Sequence, residues 1–346
     1  MRIDDFEFNQ VDLCSYNELA TGHNLPLPQN AFFGEWHEDR GRQVYRYKVL
    51  ARESGKVLAI FQILKYPIML SKSFLYVPHG PVFFSLSEDF WPGFKKFAIE
   101  LASREGAIFL RFDPHYMSDQ DAVLLQKGLV SRAPKYMYDG IFQPKFEWIL
   151  DTTQTEKAIL VGMKKVNRYS VNRAERLGVK IEIVRSNFLH YFDKFYELLQ
   201  ETGKRDSFTY YPRDYYLNIF NNCEKNKNAF LVVAYYKGEI LLINIYVVYG
   251  TTVYWLFGGS SNSERAVGYT YLAQWEAIKE TKRLGLNGYN FGSVTPEDNL
   301  YRGYRQWVGF TNFKQRFGGK GLEHGDLYDV VVSKSWYWFY SLMMYI

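Results

Sequence analysis

Four basic side chains share one face of a helix that the sequence predicts from Glu156 to Leu177. Lys164, Lys165, Arg168 and Arg176 fall within an arc of about 120° at the helical period, opposite an apolar stripe. A basic arc with so few acidic residues suits a partner that carries phosphate groups. A solvated helix surface would look the same, so charge alone leaves both interpretations open.

The chain shows no motif for covalent catalysis, for a Walker loop or for metal binding. Its six histidines are scattered, and a lone histidine is more often a surface or core residue than a catalytic base. The two cysteines, Cys14 and Cys223, lie far apart and lack metal-ligand spacing. We therefore expect no metal site and no disulfide, and the sparse cysteines indicate a cytoplasmic protein.

The composition sets the size of the fold and the class of partner. The 346 residues suffice for two ordinary domains, and 47% hydrophobic residues can fill sizeable cores. A net charge of +5 fits an anionic substrate or transient contact with tRNA, but is low for a dedicated nucleic-acid-binding protein. The polar N-terminus is not a signal peptide. The aromatic segment Trp336 to Ile346 is too short to cross a bilayer; we expect a docked helix, with membrane-surface contact as the alternative.

A weak internal duplication divides the chain into two halves with the same predicted order, β-β-β-α-β. Each half has a strand pair around a short turn, a third strand, a helix and a buried strand. Such a repeat predicts duplicated domains of the mixed α/β (α+β) class. The predicted elements are Val44–Ala51, Val57–Leu64, Phe74–Val77, Phe94–Ser103 and Ala107–Phe112, then Ala229–Tyr236, Ile240–Val248, Val253–Phe257, Tyr271–Leu284 and Tyr289–Phe291.

Five segments, taken in order, resemble the hallmark segments of the FemABX aminoacyltransferases, a family that builds the peptide cross-bridges of bacterial peptidoglycan. The basic helix is one of them, through the order Lys-Lys, Arg168, Asn-Arg-Ala-Glu and Gly-Val. The resemblance covers nearly the whole chain. The segments are Ser73–Phe83, Gly106–Pro114, Lys164–Val179, Gly258–Gly292 and Phe313–Gly319.

The resemblance implies two tandem domains of the N-acetyltransferase (GNAT) fold. Because the chain of that family returns to the first domain at its end, we expect domain one at residues 1–153 plus 324–346 and domain two at 154–323. Many members carry a helical coiled-coil arm in the second domain. The connection from Tyr216 to Phe230 is too short for an arm, so the chain resembles the shorter, armless members.

The resemblance also implies the reaction. An amino acid, usually Gly, Ala or Ser, passes from aminoacyl-tRNA to an amine on the stem peptide of a UDP-linked or lipid-linked peptidoglycan precursor. No cofactor is expected, because Thr270 stands where a CoA-binding loop would have a second small residue. The amine attacks the activated ester directly, so the protein must align two substrates and stabilise a tetrahedral oxyanion.

Three residues are candidates for the chemistry. Lys314 and its neighbour Phe313 match the family motif near the reacting ester, where an ammonium group would stabilise the oxyanion or the terminal ribose-phosphate of the tRNA. Asp113 closes a buried strand, where its carboxylate would orient or deprotonate the incoming amine. Without the motif, Lys314 would be an ordinary surface lysine, and Asp113 before Pro114 an ordinary turn residue.

Candidate substrate-binding residues come from several segments. Arg205 matches a family arginine that meets the diphosphate of the precursor, although pairing with Asp206 at a helix end is equally ordinary. Tyr211 and Tyr254 resemble cleft tyrosines that pack against the muramyl peptide, a role that core tyrosines would mimic. The candidates on the basic helix are Lys164, Lys165 and Arg168.

His37 is a departure from the resemblance. Armless members have a lysine at this position, near the phosphate of the precursor. A histidine is mostly neutral at pH 7, so phosphate affinity there would be weaker or would depend on Arg40 or Arg42.

Two other functions stay open from the sequence. One is a CoA-dependent N-acyltransferase that acts on a small amine or an envelope polysaccharide precursor, and the loop around Gly268 discriminates it. The other is a wall- or lipid-associated binding protein without catalysis, which the aromatic C-terminus and His37 suggest. For the favoured enzyme we expect a monomer in the cytoplasm, with peripheral contact to the inner face of the membrane.

Overall fold

The computed structural model describes residues 5–23, 25–85, 90–115, 131–132, 143–295 and 308–345. Within these ranges the chain forms two mixed sheets with helices packed on them. The strands are β1 (Phe6–Val11), β2 (Val44–Ala51), β3 (Val57–Pro67), β4 (Ser73–Val77), β5 (Val82–Phe83), β6 (Ala107–Phe112), β7 (Ser131–Arg132), β8 (Phe146–Asp151), β9 (Lys180–Val184), β10 (Ala229–Tyr236), β11 (Glu239–Tyr249), β12 (Thr252–Ser260), β13 (Gly288–Ser293), β14 (Lys320–Glu323) and β15 (Tyr328–Val331).

The helices of the described part connect these strands and cover their faces. They are α1 (Leu13–Ala20), α2 (Ala31–Glu38), α3 (Phe90–Arg104), α4 (Glu156–Gly162), α5 (Lys165–Arg176), α6 (Phe192–Asp206), α7 (Arg213–Asn226), α8 (Tyr269–Arg283), α9 (Val308–Gln315) and α10 (Lys334–Tyr345).

The described chain divides into two compact units, each with its own sheet. The first contains the residues up to Lys145 and those from Glu323 onward, and the second contains the described residues between them. The chain therefore returns to the first unit at its end. The sequence predicts a boundary at residue 153, but β8 pairs with β13 in the second sheet, so the division falls before Phe146 instead.

The first sheet has the strand order β1-β2-β3-β4-β6-β15-β7, with β5 beside β3. Strands β4 and β6 are parallel because α3 carries the chain from one to the other. Their carboxyl ends therefore meet at one edge of the sheet, and the segments that carry His79 and Asp113 begin there. The predicted order β-β-β-α-β is confirmed in this unit, with β15 added beside β6.

The two faces of strand β6 have different surroundings. Phe112 points toward α3 and meets the ring of Phe94 at a centroid distance of 5.1 Å. Arg111 points to the opposite face, as alternation along a strand requires. Its Nε and Nη2 donate to the two carboxylate oxygens of Asp329 on β15 at 2.7 and 2.6 Å, and both side chains are fully buried. A buried ion pair therefore joins β6 to β15.

The C-terminal helix α10 docks on this second face, as the sequence predicts. Tyr337 and Tyr340 contact the ring of Phe109 at centroid distances of 5.3 and 5.2 Å. Trp338 faces away from the sheet and is 67% exposed. Among the described residues, no helix combines the length and the apolar composition that a bilayer crossing requires.

The second sheet, in the order β14-β8-β13-β12-β11-β10-β9, repeats the plan of the first. Strands β12 and β13 are parallel and connected through α8, as β4 and β6 are connected through α3. The predicted duplication is therefore confirmed. Between α6 and β10 the chain forms only α7, a helix of 14 residues, so the described part of this unit has no coiled-coil arm.

The prediction of one long basic helix from Glu156 to Leu177 is wrong, because the segment forms two helices, α4 and α5. Met163 and Lys164 have extended backbone conformations between the two helices. The residues of α5 therefore do not continue the helical period of α4. Val166 and Leu177, which the single wheel places on the apolar stripe, are 46% and 41% exposed. Val171 takes an apolar position instead and is buried.

Gly319 has a backbone conformation and a packing environment that favour glycine. Its φ is +95°, and a Cβ atom there would lie 2.4 Å from the carbonyl oxygen of Ile149. We expect Gly319→Ala to lower the free energy of unfolding, measured in urea, by about 2 kcal/mol or more. Gly309→Ala, on a helix with open space at the Cβ position, should be neutral or slightly stabilising. Equal losses in both variants would contradict this explanation.

Candidate active site

Lys314 lies on α9 with its ammonium group turned into the second unit. Only 8% of the residue is exposed. Its Nζ donates a hydrogen bond to the carbonyl oxygen of Ser293, at the end of β13, at 2.6 Å. The same Nζ lies 5.7 Å from the centroid of the Trp255 ring, a distance at which a cation is attracted to the π-face. Lys314 is therefore a buried amine and not the surface lysine of the alternative interpretation.

Burial changes the acid–base behaviour of this lysine. Desolvation lowers the pKa of Lys314 to about 7, and the carboxylate of Glu147 opposes part of that shift. Glu147 stands on β8 directly opposite Ser293 in the register of the sheet. It also raises the pKa of Tyr254, for which burial is the largest cause. Glu147 thus shifts the pKa of two predicted site residues, Lys314 and Tyr254. Its position depends on the register of β8 on β13, which sequence motifs do not reveal.

Phe313 precedes the lysine on α9, and Tyr254 lies on a strand of the same unit. The ring of Phe313 packs against Tyr271 at 5.2 Å and Phe317 at 5.3 Å, so it anchors α9 to the core of the unit. Tyr254 lies on β12, next to Trp255 in the chain, and is partly buried. The structure therefore places Phe313 next to Lys314 on α9, and it relates Tyr254 to Lys314 through Glu147, whose charge raises the pKa of both side chains.

Arg205 is held by protein acceptors at all five of its N–H groups. Nε and one N–H of Nη2 bind the carboxylate of Asp206, and the others reach the carbonyl and hydroxyl oxygens of Ser260 and Oδ1 of Asn262 at 3.0–3.1 Å. A phosphate would have to replace one of these acceptors to bind here. Tyr211, by contrast, is 50% exposed and stacks on Tyr215 at 4.0 Å.

The basic residues at the start of α5 have two different environments. Lys164 and Lys165 are exposed, and Lys164 borders a cavity of about 500 Å³ that Asn312 and Arg316 also line. Arg168 instead turns back to the end of α4. Its Nη1 donates to carbonyl oxygens of that turn, among them Val161 at 3.0 Å. The lysines are therefore available to a phosphate, whereas Arg168 caps a helix.

Asp113 lies in the first unit, at the carboxyl end of β6. Its carboxylate accepts hydrogen bonds from the Tyr76 hydroxyl at 2.6 Å and from the backbone N–H of His79 at 2.7 Å. Burial raises the pKa of Asp113 to about 7, and these two bonds oppose the shift. A carboxyl group with this pKa can exchange a proton near neutral pH, as the predicted role toward the amine requires.

Three histidines meet beside Asp113, where the sequence predicts scattered histidines and no metal site. His79 and His324 stack at 3.8 Å, and Nδ1 of His115 lies 3.0 Å from Nδ1 of His324. His79 follows β4, His115 follows β6 and His324 precedes β15. The three residues are far apart in the sequence, and only the fold brings them together. Burial, and then the neighbouring histidines, lower the pKa of His79 well below its usual value.

His37 is buried on α2 of the first unit and stays neutral. Burial, followed by the charges of Arg42 and Arg40, lowers the pKa of His37 to about 3. Nη1 of Arg42 donates to Nδ1 of His37 at 2.9 Å, and the Arg42 guanidinium lies 4.2 Å from the ring centroid of Tyr66. The imidazole therefore positions Arg42, and the positive charge near His37 comes from Arg42 and Arg40.

The loop before α8 packs against α5 at the position where the loop of a CoA-binding domain would bind a phosphate. Gly268 has a φ of +94°, and a Cβ atom there would lie 2.8 Å from the carbonyl oxygen of Ser170 on α5. The close approach that this glycine permits is therefore to a neighbouring helix. A backbone carbonyl at that point repels an anion, which disfavours a pyrophosphate.

Comparison with known proteins identifies relatives for both halves. The chain matches the FemAB family over residues 29–241 and 237–344. It is 24% identical over 266 residues to the UDP-N-acetylmuramoylpentapeptide-lysine N(6)-alanyltransferase of Weissella viridescens, across 73% of this chain and 76% of the relative. It is 26% identical over 198 residues to the lipid II:glycine glycyltransferase of Staphylococcus epidermidis, across 55% of this chain but only 46% of that protein.

Solved structures share the fold over nearly the whole chain. The crystal structure of FemX matches with a TM-score of 0.79 at 19% identity and covers 97% of this chain and 100% of its own. A tandem GNAT protein from the clavulanic acid biosynthesis pathway matches with a TM-score of 0.55 at 10% identity, over 94% and 98%. The predicted tandem GNAT-like fold is therefore confirmed. Because the family match spans both halves, the chain belongs to the FemAB family.

Proposed function

We propose that this protein transfers an amino acid from aminoacyl-tRNA to the stem-peptide amine of a peptidoglycan precursor, as an aminoacyltransferase of bridge formation. Two curated relatives carry out, by name, alanyl transfer to a UDP-linked muramyl pentapeptide and glycyl transfer to lipid II. The observation that carries the proposal is the buried Lys314, with Trp255 and Glu147 around it. A family motif alone would not require that lysine to be desolvated.

The reaction needs a positive charge where the ester carbonyl becomes an oxyanion. The nitrogen of the acceptor amine bonds to the carbonyl carbon, the intermediate collapses, and the ribose oxygen of the tRNA leaves with a proton. Lys314 serves this reaction in its ammonium form. A bound tRNA phosphate or the oxyanion itself favours that form, because an opposite charge raises the pKa of a buried lysine. Phe313 and Tyr254 hold the lysine and the peptide in place.

The precursor phosphates require cations, and each unit offers its own. In the first unit the charge comes from Arg42 and Arg40, because the neutral His37 cannot supply it. In the second unit the exposed Lys164 and Lys165 suit the phosphates of the tRNA end. Arg205 contributes to the site by fixing the end of α6 to β12, and a diphosphate would have to displace Asp206 from it.

The partners and location follow from this chemistry. Aminoacyl-tRNA is the donor, the acceptor is UDP-linked or lipid-linked, and the reaction takes place in the cytoplasm or at the inner face of the membrane. The exposed Trp338, Leu342 and Met343 of α10 support a peripheral contact with that face, since apolar and aromatic side chains enter the lipid interface. We infer that the protein acts as a monomer.

The test is a mass measurement on the acceptor. The purified protein is incubated with UDP-linked muramyl pentapeptide and total charged tRNA, and deacylated tRNA serves as the control. We expect a gain equal to one amino-acid residue, which identifies that residue. A gain with lipid II alone would assign the acceptor to the membrane. A gain only with acetyl-CoA would overturn the proposal in favour of the CoA-dependent N-acyltransferase, against the packing of Gly268.

A further inference from the structure

The three histidines of the first unit have the separation of metal ligands. One ring nitrogen from each of His79, His115 and His324 lies within 4.8 Å of one from each of the others. Two nitrogens that bind one tetrahedral zinc ion at about 2.0–2.1 Å lie about 3.3 Å apart. The 3.0 Å between the Nδ1 atoms of His115 and His324 is close to that separation.

We propose that His79, His115 and His324 bind a divalent transition-metal ion of the zinc class. Imidazole suits zinc, copper and nickel, whereas magnesium and calcium require oxygen ligands. Three protein ligands leave the fourth position of a tetrahedral ion to water or a substrate atom. The site goes beyond the proposed aminoacyl transfer, although it adjoins Asp113, and the names of the relatives mention no metal.

The surroundings of the cluster resemble the outer shell of a metal site. Nε2 of His79 lies 3.2 Å from the carbonyl oxygen of Pro144, which can only accept and therefore orients the ring. The carboxylate of Asp113 is held beside the same residue through the backbone N–H of His79. Lys145, the nearby cation, is neutralised by ion pairs with Glu323 and Asp326. The local charge therefore does not oppose a dication.

Binding requires one rearrangement. The rings of His79 and His324 stack at 3.8 Å, so one of them must turn for both lone pairs to converge on the ion. His115 is half-buried and leaves the cluster open on its side. The bound ion would tie the segments after β4 and β6 to the segment before β15, which lies more than two hundred residues further along the chain. Such a tie stabilises the folded chain against unfolding.

Cobalt(II) is a visible probe for this site. The full chain, first treated with a chelator, is titrated with Co²⁺, and the tetrahedral d–d absorption is recorded together with the thermal midpoint. We expect one equivalent to saturate the absorption and raise the midpoint, and Zn²⁺ to displace the cobalt. Loss of an outer-shell partner weakens metal binding by about 10- to 100-fold. His324→Ala and His115→Ala each remove a ligand and should weaken cobalt binding by more than that. His190→Ala, an exposed histidine of the second unit, is the control.

The two cluster variants separate binding from folding. His115→Ala changes a half-buried side chain, so its circular dichroism should remain that of the wild type even if His324→Ala unfolds. Loss of the tetrahedral band in a folded His115→Ala protein supports the site. A wild-type protein that gives only the weak spectrum of octahedral cobalt, or the same affinity in wild type and His115→Ala, would overturn it. The cluster would then be a hydrogen-bonded histidine group without an ion.

Discussion

Replacement of Lys314 by methionine is expected to reduce turnover by on the order of 10²-fold or more while the fold persists. Methionine retains most of the volume of the lysine side chain and its contacts near Trp255, but it cannot stabilise an oxyanion. Single-turnover transfer from charged tRNA, followed by precursor mass, measures the loss. Lys320→Met, which changes an exposed lysine at the start of β14, is the matched control and should keep full activity.

The pH profile distinguishes the two protonation states of the lysine. Because burial lowers the pKa of Lys314 to about 7, its charged fraction falls as the pH rises through neutrality. With the ammonium as the active form, the ratio of kcat/KM between the wild type and Lys314→Met should fall across that window, since Asp113 titrates in both proteins. Stability should rise with pH above 7, since the unfolded chain retains a proton that the folded chain has lost. A rate that rises with pH in the wild type but not in Lys314→Met would instead make the lysine a base.

Asp329→Ala is expected to cost about 3–5 kcal/mol of unfolding free energy, the largest stability effect that the structure indicates. The change leaves the Arg111 guanidinium buried beside Phe109 without its carboxylate. Removal of Asp193, whose ion pair with Arg213 is exposed, should cost no more than about 1 kcal/mol. Urea unfolding followed by circular dichroism compares the two variants.

A double variant checks the cause of that loss. Arg111→Met combined with Asp329→Leu removes both charges and keeps apolar volume, so it should recover most of the stability lost in Asp329→Ala. The expected result is a midpoint close to that of the wild type. If the double variant were as unstable as the single one, the loss would come from packing between β6 and β15 or from the hydrogen bond of the Tyr337 hydroxyl to Asp329, and not from an unpaired charge.

Local patterns were sufficient for the elements and for the order of the two halves. The bounds of Val44–Ala51 and Ala229–Tyr236 agree with β2 and β10 residue by residue, because alternation and turn residues lie within each segment. The break at Met163 could not be predicted in that way. It is held by a hydrogen bond from the Lys164 N–H to the carbonyl oxygen of Arg316, a residue far along the chain.

The candidate site shows the same limit. Lys314 and Tyr254 could be named from motifs, but the desolvation that shifts the lysine is a property of packing. Glu147 gains its place only through the register of β8 on β13. The histidine cluster forms because the ends of β4 and β6 lie near the start of β15. The spacing of His79, His115 and His324 in the sequence therefore could not predict it.

The return of the chain to the first unit has a consequence for synthesis on the ribosome. Strand β15 follows all described residues of the second unit in the sequence, so that unit has left the ribosome before the first receives its partner strand. Until then β6 has an open edge on the β15 side, and Arg111 has no carboxylate to meet it. The first unit therefore begins synthesis first but completes its sheet last. Until β15 pairs with β6, the exposed edge of β6 is a site at which aggregation could begin.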